Sequence, residues 1–175
     1  RCLNLCSGAG SVSEPFRNAG WEVVEVDWNP THNPTHVVDL MSWDCPYKVG
    51  RFDVIVALLI ALNIQKRGHI QTPKGLRTID ALLERCLQLI SQIEPCVWFV
   101  ENPCSGLLRT RDIMHGIPFV VLDYSMYQDP PSLATEQSTV STGCQRSSDP
   151  SRLTKCLRCK TANISVKFAP VIRQR

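Results

Sequence analysis

Leu3-Asn-Leu-Cys-Ser-Gly-Ala-Gly-Ser11 is the stretch that decides the fold. An apolar segment of strand length runs straight into a turn carrying Gly8 and Gly10, and a helical stretch, Glu14 to Ala19, follows it. Glycine there lets the backbone take positive φ and approach a ligand closely, while the start of the next helix offers unpaired amides. The segment is therefore expected to be a first strand and a cofactor seat, with Cys6, Ser7, Gly8 and Gly10 at the ligand. A G-x-G turn taken alone is a weak signal, because many such turns bind nothing.

Outward from this turn, strand-like and helical stretches alternate. Trp21 to Val26, Val37 to Leu40, Phe52 to Ala57 and Val97 to Val100 are too short and apolar for amphipathic helices. Ile79, Leu82, Leu83, Cys86, Leu87, Ile90 and Ile93 recur at steps of three and four, which predicts one face of a helix that Pro95 ends. Such alternation implies an α/β protein with a mostly parallel sheet and helices on both faces. The pattern stops near Tyr127. Residues 128 to 155 are rich in Ser, Thr, Pro, Gln and Arg and read as a loop or disordered segment; Ile164 to Val166 reads as a further short strand. The expected organisation is one domain over 1–127 and an irregular tail over 128–175.

Composition narrows the class. The chain has 175 residues, 43% of them hydrophobic and 20% charged, with no apolar run of membrane-spanning length. That excludes a second full-sized domain, a membrane protein and disorder throughout. A net charge of +3 permits a polyanionic partner without arguing for one. Nine cysteines would suggest disulfides in a secreted chain, but the number is odd, no signal peptide is visible, and Cys2, Cys6, Cys86 and Cys96 lie within apolar segments. The expectation is a reducing, intracellular setting. The chain opens at Arg1 on what already reads as a buried strand, so it is expected to be incomplete.

Further candidate site residues stand at the strand ends. Asp27, closing the second strand, can accept hydrogen bonds from ribose hydroxyls, and Trp28 beside it can stack on a base. Asp39 and Leu40 close the third strand, so three consecutive strand ends converge on one crevice, the place where doubly wound sheets bind ligands. The alternative is that both acids merely cap turns.

Leu3 to Ser11, Asp27-Trp28-Asn29-Pro30, Val38-Asp39-Leu40, Phe52-Asp53-Val54-Ile55 and Trp98-Phe-Val-Glu101-Asn-Pro103 resemble the ordered motifs of DNA cytosine-5 methyltransferases, particularly short single-domain members of phage and viral type. Gly106-Leu107-Leu108 and Pro118 to Tyr127 extend the resemblance, which covers residues 2 to about 127. It implies a class I methyltransferase (Rossmann-like) fold, S-adenosylmethionine as cofactor, and as partner duplex DNA with the target cytosine flipped out of the stack. It also implies roles: the Gly8–Gly10 turn for the methionine part, Asp27 for the ribose, Asp39 for the adenine amino group and Glu101 for the cytosine ring. Methyltransferases acting on exocyclic amines carry Asn-Pro-Pro-aromatic after the fourth strand, whereas Glu101-Asn-Pro103 follows the fifth.

One part of the family's chemistry is missing. Carbon 5 of cytosine becomes nucleophilic once a cysteine thiolate adds to carbon 6, and the family carries that cysteine in a Pro-Pro-Cys turn after the fourth strand. Here the stretch is Ala57-Leu-Leu-Ile-Ala-Leu-Asn-Ile-Gln-Lys-Arg67, with neither cysteine nor proline, and Ala61 stands near the nucleophile's expected place. Ala61 to Arg67 can be encoded so that a one-base shift reads Cys-Thr-Glu-Tyr-Ser-Lys-Ala, with Ser-Pro-His-Cys permitted upstream, which is consistent with a shifted frame. A similar shift within Ala134 to Val140 permits Arg-Arg-Asn-Lys-Ala-Arg. Codons other than those required would end the idea. Cys104 and Cys6 read as structural. Cys156-Leu-Arg-Cys159 is half a zinc site, too few ligands for a metal to be assigned. His32 and His36, between prolines, read as surface residues.

Three readings follow in order: a family member misread at its nucleophile, a catalytically dead cofactor- or DNA-binding relic, and an NAD-type nucleotide-binding enzyme. The last has only Gly8-Ala-Gly10 and Asp27 in its favour and lacks a third glycine at the expected step.

Overall fold

Strand β1, Cys2–Leu5, is buried along its whole length, and its alternation sets the architecture. In a computed structural model, which describes residues 1–59, 73–103, 111–123 and 137–143, Leu3 and Leu5 point into one apolar cluster and Cys2 into another on the opposite side of the sheet. β1 pairs in parallel with β2 (Val23–Asp27) on one side and with β4 (Val54–Leu58) on the other. β3 (His36–Val37) adds to β2, and β5 (Val97–Pro103) adds to β4, again in parallel. Both faces of β1 and β4 are covered, which is why these two strands read as mainly apolar runs.

Helix α1, Ser13–Asn18, places Phe16 on the face shared by Cys2, Val54, Val56, Leu58 and Val97. Helix α2, Pro73–Ile93, covers the other face, where Leu83, Cys86, Leu89, Ile90 and Ile93 are buried against Leu3, Leu5, Ile55 and Ala57. Full burial of each such Leu or Ile contributes about 1.5–3 kcal/mol, so α2 is held by packing rather than by helix propensity. Its end is satisfied from outside the helix: the Gly50 N–H donates to the Ile93 carbonyl at 2.7 Å, two residues before Pro95.

The sheet order is β3-β2-β1-β4-β5-β7-β6. β6 is Phe119–Asp123 and β7 is Gln137–Gly143, and β7 runs antiparallel between β5 and β6. Residues 137–143, read from composition as part of a loop or disordered segment, form an interior strand of the sheet instead. Composition hid it, because Gln-Ser-Thr-Val-Ser-Thr-Gly has no apolar alternation. Its place depends on small size: a Cβ on Gly143 would lie 2.6–2.7 Å from the Trp98 ring, while Thr142 Oγ1 donates to the Trp98 carbonyl at 2.9 Å.

The third strand is also shorter than the expected Val37 to Leu40. Asp39 ends it, because its Oδ1 accepts the Met41 N–H at 2.9 Å and its carbonyl accepts the Ser42 N–H at 3.1 Å, so the chain turns away from the sheet edge. Among the described residues no helix is long and apolar enough to cross a membrane. The calls on Ala61 and residues 60–67, Cys104, Gly106–Leu108, Cys156, Cys159 and Ile164–Val166 lie outside the described residues.

Candidate cofactor site

The C-terminal ends of the parallel strands lie side by side, because Leu5 is in register with both Val26 and Ala57, and Leu58 with Glu101. Just past β1 the chain makes a tight turn in which Cys6, Gly8 and Gly10 all have positive φ, between 52° and 76°. For Gly10 a side chain is doubly excluded. At φ +76° an L residue is strained, and a Cβ would stand 2.9 Å from Glu25 Oε1.

Asp27 joins this turn to the next two strand ends. Its Oδ2 accepts the Gly8 N–H at 2.8 Å and its Oδ1 accepts the Asn29 N–H at 2.8 Å, while its backbone carbonyl accepts the Val38 N–H at 2.9 Å. The turn-capping alternative is thus realised, but a carboxylate offers about four acceptor positions and these amides take two. Trp28 is 71% exposed next to it. Asp39 is exposed one loop further, and Leu40 is buried beneath that loop.

Gly8, Asp27 and Asp39 therefore belong to one hydrogen-bonded edge, with Cys6, Ser7, Trp28 and Leu40 beside them in sequence. Ser7 Oγ is buried and has no hydrogen-bond partner among the described residues. Acceptors on two carboxylates, an exposed indole and a glycine turn suit a ligand combining a ring, hydroxyl groups and an amino-acid tail. Glu101 is buried at the end of β5, paired with Leu58 on one side and Val140 on the other.

Several parts of the site had no sequence signal. Beneath the turn lies a polar group inside the core: Asn4 Nδ2 donates to Ser13 Oγ at 2.9 Å, and Arg17 pairs with the buried Glu25 at 2.6 Å. Asn4 and Glu25, each within a mainly apolar strand, are hints of polarity but not of partners. His36, expected at the surface, is half-buried, and its Nε2 lies 2.8 Å from the Tyr47 hydroxyl with Trp43 packed alongside. His32 is exposed at the end of a short 3-10 turn.

The described thiols are poor nucleophiles where they are buried. A hydrogen bond to Cys6 and burial push the Cys86 thiol well above its ordinary value, and burial raises Cys2 and Cys45. Cys6 contacts Cys86 and packs against the α2 side of the core. No group of three or more His, Cys, Asp or Glu among the described residues could hold a metal ion.

The sequence and the fold have counterparts in known proteins. No family model matches the chain. A protein of frog virus 3 (isolate Goorha), described as a DNA (cytosine-5)-methyltransferase, is 31% identical over 143 residues, 74% of this chain and 64% of the viral protein. The chain is a homologue of a DNA (cytosine-5)-methyltransferase. It spans just under two thirds of that relative's length. Among solved structures, a DNA modification methyltransferase encoded within an E. coli prophage superposes with a TM-score of 0.57 at 15% identity, covering 83% of this chain and 46% of that one. A TehB-like SAM-dependent methyltransferase from Corynebacterium glutamicum matches at a TM-score of 0.48 and 15% identity, covering 82% of this chain and 79% of that one. The fold shared with the prophage protein is the class I methyltransferase fold, and in sequence the chain is similar to the viral cytosine-5 methyltransferase.

Proposed function

We propose that the chain binds S-adenosylmethionine at the edge formed by Gly8, Asp27 and Asp39, and that it derives from an enzyme transferring the methyl group to carbon 5 of a cytosine flipped out of duplex DNA. The observation that carries this reading is the Gly8 N–H to Asp27 Oδ2 bond, which ties the glycine turn to the carboxylate of the neighbouring strand. The cofactor would supply an electrophilic methyl on a sulfonium. Asp27 would accept from ribose hydroxyls, Trp28 would lie against the adenine ring, and Asp39 would accept from its amino group. The turn at Cys6 to Gly10, with Ser7, would pass beneath the methionine part, and Leu40 would support the adenine loop from below.

Glu101 would hydrogen-bond the cytosine ring, one strand away from the cofactor edge and beside Leu58, after which the family carries its nucleophile. The chain has no cysteine between Cys45 and Cys86. Without the thiolate addition at carbon 6 the ring stays a poor nucleophile, so the chain as it stands should bind the cofactor and turn over little or not at all. The relic reading follows if the gene encodes Leu58 to Arg67 as written; the misread-frame reading follows if its codons restore Pro-Pro-Cys. In either case the protein would work inside a cell, where both the methyl donor and DNA are found.

Calorimetry tests the site: heat with S-adenosylmethionine and none with NAD is expected, and heat with NAD alone would overturn the proposal. A tritiated-methyl assay on DNA should be silent for this chain. It should become active when Leu58 to Ala61 are replaced by Ser-Pro-Pro-Cys and the downstream frame is repaired; cofactor binding without activity in that variant would favour the relic.

A further inference from the structure

Arg85 stands on α2, far in sequence from any residue of the cofactor edge, yet its guanidinium grips the loop that carries Asp39. Its Nε donates to the Leu40 carbonyl at 3.2 Å and its terminal NH2 donates to the Trp43 carbonyl at 2.6 Å. The same loop is fixed by the buried side chains of Leu40 and Trp43 and by the Val38 N–H donating to the Asp27 carbonyl. Asp39 itself is exposed, and of its two carboxylate oxygens Oδ1 accepts the Met41 N–H. The result is a carboxylate on the surface whose supporting backbone is clamped from both sides.

A planar guanidinium suits this task, since its fork reaches two carbonyls at once with charge-assisted bonds, and a lysine's point charge would reach only one. A carboxylate held in one place discriminates between rings. It accepts a hydrogen bond from an exocyclic amino group, whereas an oxo group at the same ring position presents lone pairs to it and leaves it unpaired. A carboxylate on a loose loop could swing aside and tolerate either ring.

We propose that Arg85 is a positioning residue for ring selection: by clamping the Leu40 and Trp43 carbonyls it holds Asp39 so that the site takes a nucleoside with an amino-bearing ring and rejects its oxo counterpart. The proposal rests on the methyl-donor reading and deepens it. The experiment measures binding of S-adenosylhomocysteine and S-inosylhomocysteine, which differ in the amino or oxo group at ring position 6 and the accompanying proton on N1, to the wild-type chain, Arg85→Lys and Arg85→Ala, with thermal unfolding followed by circular dichroism.

The wild type should favour the adenosyl ligand by about 10- to 100-fold, the range of one hydrogen bond to a charged group. Arg85→Ala should shrink that ratio to about threefold or less, and Arg85→Lys should fall between. Asp39→Asn should abolish the preference in the wild-type background and change the ratio little once Arg85 is Ala, a coupling that a purely structural arginine would not show. If Arg85→Ala fails to fold, Arg85→Lys carries the test. A ratio within about twofold of wild type in every folded Arg85 variant overturns the assignment and leaves the methyl-donor reading standing. Equal binding of both ligands by the wild type overturns it as well. Binding of neither ligand by the wild type overturns the methyl-donor reading and this inference together.

Discussion

The two ends of the sheet are built by different means. From β3 to β5 the strands run parallel, and the side chains of β1, β2, β4 and β5 alternate between two faces, where they form the core clusters together with α1, α2 and the loop from Leu40 to Phe52. At the other end β7 is made of small and polar residues, and the edge strand β6 exposes Phe119, Val120 and Val121 in succession. In the first region apolar burial makes the strands. In the second, the ladder of hydrogen bonds to β5 and β6 and the fit of Gly143 against Trp98 make β7 a strand, with little help from composition. The comparison teaches that strand content readable from hydrophobic pattern is the content with something packed on both sides.

The sharpest way to break this contrast is to cut into each end by the same chemistry. Leu83→Ala, in the fully buried face of α2, should cost about 2–5 kcal/mol in urea unfolding; a loss under about 1 kcal/mol would mean that α2 does not cover the parallel half. Gly143→Ala should cost about 1–3 kcal/mol, because the added methyl must displace the Trp98 ring. A neutral result would remove β7 from its place beside β5.

A change of pH separates the ends by a different route. The raised thiols, Cys2 and Cys45 by burial and Cys86 by its hydrogen bond with Cys6 and then by burial, all belong to the parallel half. A raised folded pKa contributes stability that is fully present below the unfolded thiol's value of about 8.5 and is lost as pH rises through the folded value. Urea midpoints should therefore fall steadily above about pH 8.5, and replacing Cys2 and Cys86 by Ala should flatten that decline even though it lowers stability at neutral pH. An unchanged slope would show that these thiols are not what titrates. The smallest effect belongs to the exposed edge: Val120→Thr should lie within about 0.5 kcal/mol of wild type, and a larger loss would mean that this strand is covered.

The placement of the candidate site's residues was legible for the same reason as the parallel half. The glycine pair, Asp27 and Asp39 stand at places where a strand pattern stops, and strand ends in a parallel sheet converge by topology. Their hydrogen bonds were not legible. Whether Asp27 would cap a turn or face a ligand depends on where the Gly8 and Asn29 amides point, which is set by backbone angles and not by residue order. Asp39 was expected at the end of a strand and lies instead in the turn that terminates it.

Residue order determined on its own the alternation of strand and helix, the covered faces of β1, β2, β4 and β5, the amphipathic stripe of α2 and the glycine turn, because each is a local pattern with its own period. It also determined that no cysteine follows the fourth strand at the family's position. Tertiary structure alone decided that Glu25 would lie under Gly10, that Arg85 would hold the loop of Asp39, and that a polar segment would become an interior strand. Those contacts join residues from separate elements, and their energy depends on distance in space, for which spacing along the chain carries no signal.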